Sequence, residues 1–94
     1  MGGASVGDRD ELVAALKRLI VTACNRPEPP ETLDEDAPLI GPASALGLDS
    51  LDVLQISLAL SQHYAIRIED SKEARRALRS VRTLALYLQA AGAA

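Results

Sequence analysis

The stretch Gly47-Leu48-Asp49-Ser50-Leu51-Asp52 separates a proline-rich connection from a strongly apolar run that begins at Leu51. Asp49 follows a Gly/Pro/Ala/Ser segment and precedes apolar residues at helical spacing. It therefore reads as an N-cap whose carboxylate accepts a first-turn N–H. Asp52, three residues on, can reach back as an approximate capping box, and it places negative charge where the helix dipole favours it. Ser50 is then the first helical residue. Its hydroxyl sits at the surface, beside free N–H groups and a partial positive charge that suit an attached phosphate. The functional reading is a serine bearing a covalent phosphodiester. Taken alone, the hexapeptide favours the plainer reading, in which Ser50 is a second capping residue of an ordinary Asp-Ser helix start.

The rest of the chain bears on that choice. Ninety-four residues at 48% hydrophobic make one small domain with a modest core. Phe and Trp are absent and Tyr occurs twice, so the core has to be built from Leu, Ile, Val and Ala. The lone Cys24 excludes a disulfide framework within the chain and fits a reducing compartment. Met1 to Gly7 has neither the basic region nor the apolar run of a secretory leader, and position 6 is Val where a myristoylation signal carries Ser or Thr. No apolar stretch approaches a membrane span. The expected setting is a cytoplasmic one, without membrane insertion.

The net charge of −3 hides an asymmetry. Residues 1–64 hold four basic and ten acidic side chains, a net −6, while residues 65–94 hold six and three, a net +3. The basic end lacks aromatic interleaving or a recognisable nucleic-acid module. It is read as a solvated helix face and not as a nucleic-acid interface.

In chain order, residues 1–7 are expected to be a disordered tail and Asp8-Arg9-Asp10-Glu11 to cap a first amphipathic helix. Leu12, Leu16, Leu19, Ile20 and Ala23 supply its inner stripe up to about Cys24, which is read as a small, buried or half-buried thiol without a partner His. Asn25 to Asp49 holds all five prolines, too many for a regular helix or central strand. Leu33, Leu39, Ile40, Leu46 and Leu48 are the residues that would pin this loop to the core. Its acids lack a calcium-loop spacing and are read as solvated, with no metal expected.

A second helix is predicted over Ser50 to Tyr64, with two apolar stripes. Val53, Ile56, Leu60 and Tyr64 form one, and Leu51, Leu54 and Leu58 the other. Either this helix is buried on nearly all sides, or one stripe faces the core while the other meets a ligand or partner. The second alternative is preferred because the second stripe starts beside Ser50. His63, the one histidine, lies about 20 Å along the helix from Ser50 and is badly placed to act as its base. Asp70-Ser71-Lys72-Glu73 opens a short helix with Ala74, Ala77 and Leu78 inward. Ser80 caps a last helix with Val81, Leu84, Ala85 and Leu88 buried, ended by Gly92. The expected architecture is all-α, a small four-helix bundle with a short third helix and a long loop between the first two. Its domain would occupy residues 8–91, with a short C-terminal tail over residues 92–94. Tyr64 to Ile68 is the one strand candidate.

This order of elements, with Leu46-Gly47-Leu48-Asp49-Ser50-Leu51-Asp52 at its centre and Ile68-Glu69-Asp70 at the expected distance, resembles the acyl carrier proteins from about Asp8 to Ala90. The resemblance implies that Ser50 receives 4′-phosphopantetheine from coenzyme A through a phosphopantetheinyl transferase. The arm's thiol would hold an acyl chain as a thioester for acyl-transferring and ketosynthase-type partner enzymes, the protein itself being no enzyme. Asp49 would cap the helix and help the transferase dock. Leu51, Leu54 and Leu58 would flank the arm or line a cleft between the second and third helices, with Ala74 and Leu78 opposite, and Asp52 would belong to the docking face. The carrier is expected to work as a monomer.

Some residues depart from the familiar fatty-acid carriers. Gln55, Ser61, Gln62 and His63 stand where those carriers place glutamates, and Arg75, Arg76 and Arg79 make the third helix basic. Pro38 to Ser44 forms an insertion in the loop. These departures point to a specialised pathway, polyketide or aryl-polyene in type, and to docking partners with a different charge pattern. A peptidyl or aminoacyl carrier would use the same serine, although the peptidyl class more often has His where Asp49 stands. An unmodified helical interaction module is the remaining alternative. A serine hydrolase lacks both its nucleophile elbow and a nearby base.

Overall fold

The computed structural model describes residues 4–40, 44, 46–68 and 70–92, with the side chains of residues 4–8 and 71 outside the description. Residues 1–3 of the expected tail, 41–43 and 45 of the loop, Glu69, and residues 93–94 lie outside the described residues. The described residues form four α-helices, α1 (Ala4–Ala23), α2 (Ser50–Tyr64), α3 (Ser71–Ala77) and α4 (Val81–Ala90), with a 3-10 turn over Pro30–Thr32. Among the described residues there is no strand. The one ladder element is an isolated parallel bridge between Ile40 and Leu48, and Tyr64 to Ile68 is not a strand where it is described.

The apolar periodicities of the sequence become one aliphatic core. Helix α2 buries Val53, Ile56 and Leu60, while α4 buries Val81, Leu84, Ala85 and Leu88. Ala74, Ala77 and Leu78 seat the short α3. Helix α1 differs from the sequence expectation in two ways. Its buried face is Leu12, Val13, Leu16, Ile20 and Val21, with Leu19 and Ala23 only partly buried. Both neighbours and fourth neighbours turn inward because α1 packs against α2 and α4 together. The helix also starts at Ala4, so Asp8 to Glu11 lie inside it and do not cap it. Extending an existing helix fixes one residue per added bond and avoids a new nucleus, which lets Ala4 to Gly7 join despite the glycine.

Each later helix has a definite start. Asp70 caps α3 by accepting from Lys72 N–H at 3.0 Å, and Ser80 caps α4 by accepting from Thr83 N–H at 3.1 Å. Tyr87 in α4 donates its hydroxyl to Glu73 in α3 at 2.9 Å, which ties the short helix to its neighbour.

The long connection is a packed layer. Leu33, Leu39, Leu46 and Leu48 are buried, and Ile40 packs against them. Two of its acids are not simply solvated: Arg82 pairs with Glu35 at 3.1 Å and with Asp36, Arg9 pairs with Glu35 at 3.2 Å, and Arg82 N–H donates to Glu35 C=O at 2.9 Å. Part of the basic C-terminal segment is thus used to clasp the acidic loop. Leu39 N–H donates to Arg79 C=O at 3.0 Å, and Leu48 N–H donates to Leu39 C=O at 3.2 Å, so the loop joins the α3–α4 corner to the entrance of α2.

Helix ends often use the left-handed conformation, and three here supply it differently. Asn25, after α1, has φ 55°, and Gly92, after α4, has φ 74°, both residue types that tolerate this region. Ala65, the C-cap of α2, has φ 54° and ψ 34°, where a β-carbon is strained. The Ala65→Gly substitution is expected to stabilise the fold by about 1 kcal/mol. Thermal unfolding followed by far-UV circular dichroism should show a rise of roughly 4–8 °C.

Candidate functional site

The entrance to α2 is built from the turn outward. Gly47 has φ 60°, and a β-carbon there would meet nothing within 4 Å. Its requirement is conformational: the left-handed residue stands between buried Leu46 and buried Leu48, with Asp49 exposed beyond them. Ser44 Oγ accepts from Gly47 N–H at 2.8 Å and fixes the turn. The expected capping box is complete. Asp49 Oδ1 accepts from Asp52 N–H at 3.1 Å, and Asp52 Oδ2 accepts from Asp49 N–H at 3.1 Å. Bonds from first-turn N–H groups, that of Asp52 foremost, hold the Asp49 carboxyl below its ordinary value of 3.8.

Asp52 has further partners. Its carboxylate pairs with Arg26 Nη2 at 3.5 Å, and its carbonyl accepts a weak bond from the Cys24 thiol at 4.0 Å. The end of α1 is thereby fastened to the beginning of α2. Asp52 is half-buried and engaged in the structure, more so than a free docking acid would be. Burial, followed by the negative charge of Asp52, pushes the Cys24 thiol up to about 11 from an ordinary 9.0, against the opposing effect of Arg26.

Ser50 is exposed at the first position of α2. Its Oγ accepts from Arg75 Nη2 of α3 at 3.3 Å. Beside it runs the second stripe: Leu51, Leu54 and Leu58 are 61%, 54% and 53% exposed, large apolar side chains left in solvent while Val53, Ile56 and Leu60 fill the core. Leu58 also lines an open groove of about 330 Å³ between α1 and α2, with Leu19, Gln55 and Gln62. A larger groove of about 610 Å³ lies elsewhere, between α1 and the 3-10 turn, and shares no residue with the entrance of α2.

Asp49, Ser50, Leu51 and Asp52 therefore meet at one helix end, and Leu54 and Leu58 continue the track. Ala74 and Leu78 do not face it as a surface. Both are buried in the core, because the seven-residue α3 has only its small inner face with which to hold its place. His63 sits in the last turn of α2, at the opposite end from Ser50. Arg75 and Arg26 were not legible as neighbours of this site. Arg75 is 25 residues from Ser50 and reads in sequence as one of several surface arginines.

The chain's residues 14–88, from within α1 to the last buried turn of α4, match the family model for the phosphopantetheine attachment site. The chain belongs to that family. It is a carrier of covalent 4′-phosphopantetheine and does not itself catalyse, its partners being a phosphopantetheinyl transferase and the enzymes that act on the carried group. No curated protein and no solved structure matches it. Among the described residues, no helix is long and apolar enough to cross a membrane, and no group of His, Cys, Asp and Glu could hold a metal ion.

Two outcomes test this local chemistry. The stability contributed by the ionised Asp49 cap is present above the unfolded carboxyl pKa, near 3.8, and is lost as pH falls through the lower folded value. Denaturant titrations from pH 6 to pH 2 should show a smaller acid-side loss in Asp49→Asn, whose amide oxygen still caps but does not titrate. At pH 8 the Cys24 thiolate is about a hundredfold scarcer than that of an ordinary thiol. Iodoacetamide should alkylate it correspondingly slowly in the folded protein and rapidly in urea, as read by mass spectrometry.

Proposed function

We propose that Ser50 is the attachment point and that the carrier presents acyl intermediates, as thioesters on the phosphopantetheine arm, to acyl-transferring and ketosynthase-type enzymes. The observation that carries the reading is the placement of an exposed serine hydroxyl at a doubly capped helix start, against a guanidinium and at the head of a solvent-facing leucine track. The surroundings suit the group: a helix N-terminus and an arginine favour a phosphodiester, and exposed aliphatic side chains favour the arm beyond it. Other serines fit less well. Ser80 is buried as the cap of α4, Ser57 is half-buried within α2, and Ser71 opens a helix whose apolar residues are all turned inward.

In loading, the Ser50 oxygen forms the phosphate ester while the nucleotide half of coenzyme A leaves. His63 is in the last turn of α2, at the opposite end from Ser50, so we assign the base for the departing proton to the transferase. When bound, the arm provides a terminal thiol that holds the acyl group as a thioester. The chain's own contribution is a fixed root and a recognition face. Leu51, Leu54 and Leu58 form the apolar part of that face, with Asp49 as its exposed acid. Exposed Gln55, Ser61 and Gln62 leave the rest of α2 without added charge, and exposed Lys72, Arg75 and Arg76, with Arg79 just beyond the helix, make the α3 region basic. That pattern supports partners other than those of housekeeping fatty-acid synthesis, and a specialised pathway of polyketide or aryl-polyene type. We place the carrier in the cytoplasm and expect it to act as a monomer, because its serine has to reach each partner in turn.

Incubation with coenzyme A and a broad-specificity phosphopantetheinyl transferase should add the mass of one phosphopantetheine to the wild type and to Ser71→Ala, and nothing to Ser50→Ala. Loading with acyl donors should then exceed loading with aminoacyl donors. A mass gain retained by Ser50→Ala would move the attachment point elsewhere, and preferred aminoacyl loading would make this a peptidyl-type carrier.

A further inference from the structure

We propose that Arg75 is a clamp for the phosphodiester at the root of the arm, holding it against the entrance of α2 on the side that faces α3. The inference rests on Ser50 being the attachment point. Arg75 Nη2 already lies 3.3 Å from Ser50 Oγ, the atom to which the phosphorus would be joined. The non-bridging phosphate oxygens would extend outward from that atom, within range of a forked side chain with five N–H donors.

The placement of α3 is not accidental. Its inner residues Ala74, Ala77 and Leu78 are buried, Asp70 caps its start and Tyr87 anchors Glu73, so the backbone that presents Arg75 is held at three points. The charge around Ser50 needs such a cation. Asp49, one residue away, is held ionised by first-turn N–H groups, and a phosphodiester would put a second negative charge beside it. Asp52 is close as well, but Arg26 takes up its carboxylate at 3.5 Å. Glu73 is engaged by Tyr87. Of the described α3 cations, Arg75 alone has a hydrogen bond to Ser50, while Arg76 is exposed and lines a groove toward Leu86 and Tyr87 on α4.

Because both partners are exposed, the hold is loose, biasing the clamped over the free root by about two- to fivefold. A carrier can use such a bias. The root is oriented along the α2–α3 side at rest, and the arm is released whenever a partner offers the phosphate a better donor.

The test uses the full-length protein, loaded enzymatically, with Arg75→Gln, Arg75→Lys and Arg76→Gln alongside the wild type. Intact mass first establishes loading at Ser50 for each. In the wild type, the Arg75 Nε–H signal in ¹H–¹⁵N spectra should shift on loading while that of Arg76 stays in place. The ³¹P transverse relaxation of the phosphodiester should be faster in wild type and Arg76→Gln than in Arg75→Gln, with Arg75→Lys between them, and high salt should bring wild type toward Arg75→Gln. Fully loaded Arg75→Gln with the ³¹P shift and relaxation of the wild type would overturn the clamp and leave the attachment reading intact. An unloaded Ser50 in the wild type would overturn both.

Discussion

Asp52 is the residue on which the arrangement turns. Its backbone N–H satisfies Asp49, its carboxylate satisfies the Asp49 N–H and Arg26, and its carbonyl takes the Cys24 thiol. A helix start leaves four N–H groups without internal partners, and a loop delivered to the surface by a left-handed glycine has little else to hold it. By closing the capping box and reaching the end of α1 together, one short carboxylate sets both the direction of α2 and its position against the neighbouring helix. Ser50 lies between the two members of the box, so its exposure and orientation follow from a contact in which its own side chain takes no part.

The two stripes of α2 express a division of labour that the composition makes possible. Without Phe or Trp, the core is filled by many aliphatic side chains of similar size, and α1, α2 and α4 each contribute a line of them. Three leucines beyond that requirement remain on the outer side of α2, each more than half exposed. Leaving them in water forgoes hydrophobic free energy of about 25 cal/mol for every Å² that could have been buried, so the helix carries apolar surface that its own core does not use.

Much of this was legible before the fold. The periodicities of α2 and α4 named their buried residues because each helix packs mainly through one stripe, and Asp49 and Ser80 announced their helix starts by local chemistry alone. The loop anchors were legible too, since five aliphatic residues among prolines and acids have no other use. What was not legible depends on contacts between distant segments. Val13 and Val21 fell off the single-stripe pattern because α1 touches two helices. Ala74 and Leu78 read as inward from their spacing and as cleft residues from the resemblance, and the shortness of α3 commits them, with Ala77, to the core. Arg82, Glu35 and Asp36 carried no local sign of pairing, and neither did Arg75 and Ser50, because sequence spacing does not reveal which side chains a folded loop brings face to face.

The main-chain bonds of the loop have a mechanical consequence. Arg79 at the α3–α4 corner, Leu39 in the loop and Leu48 just before the helix entrance are linked in series by two backbone hydrogen bonds. They form a strut between the corner that seats α3 and the segment that delivers Ser50. A displacement of that corner is therefore passed through the main chain to the entrance of α2, with no side chain needed to relay it.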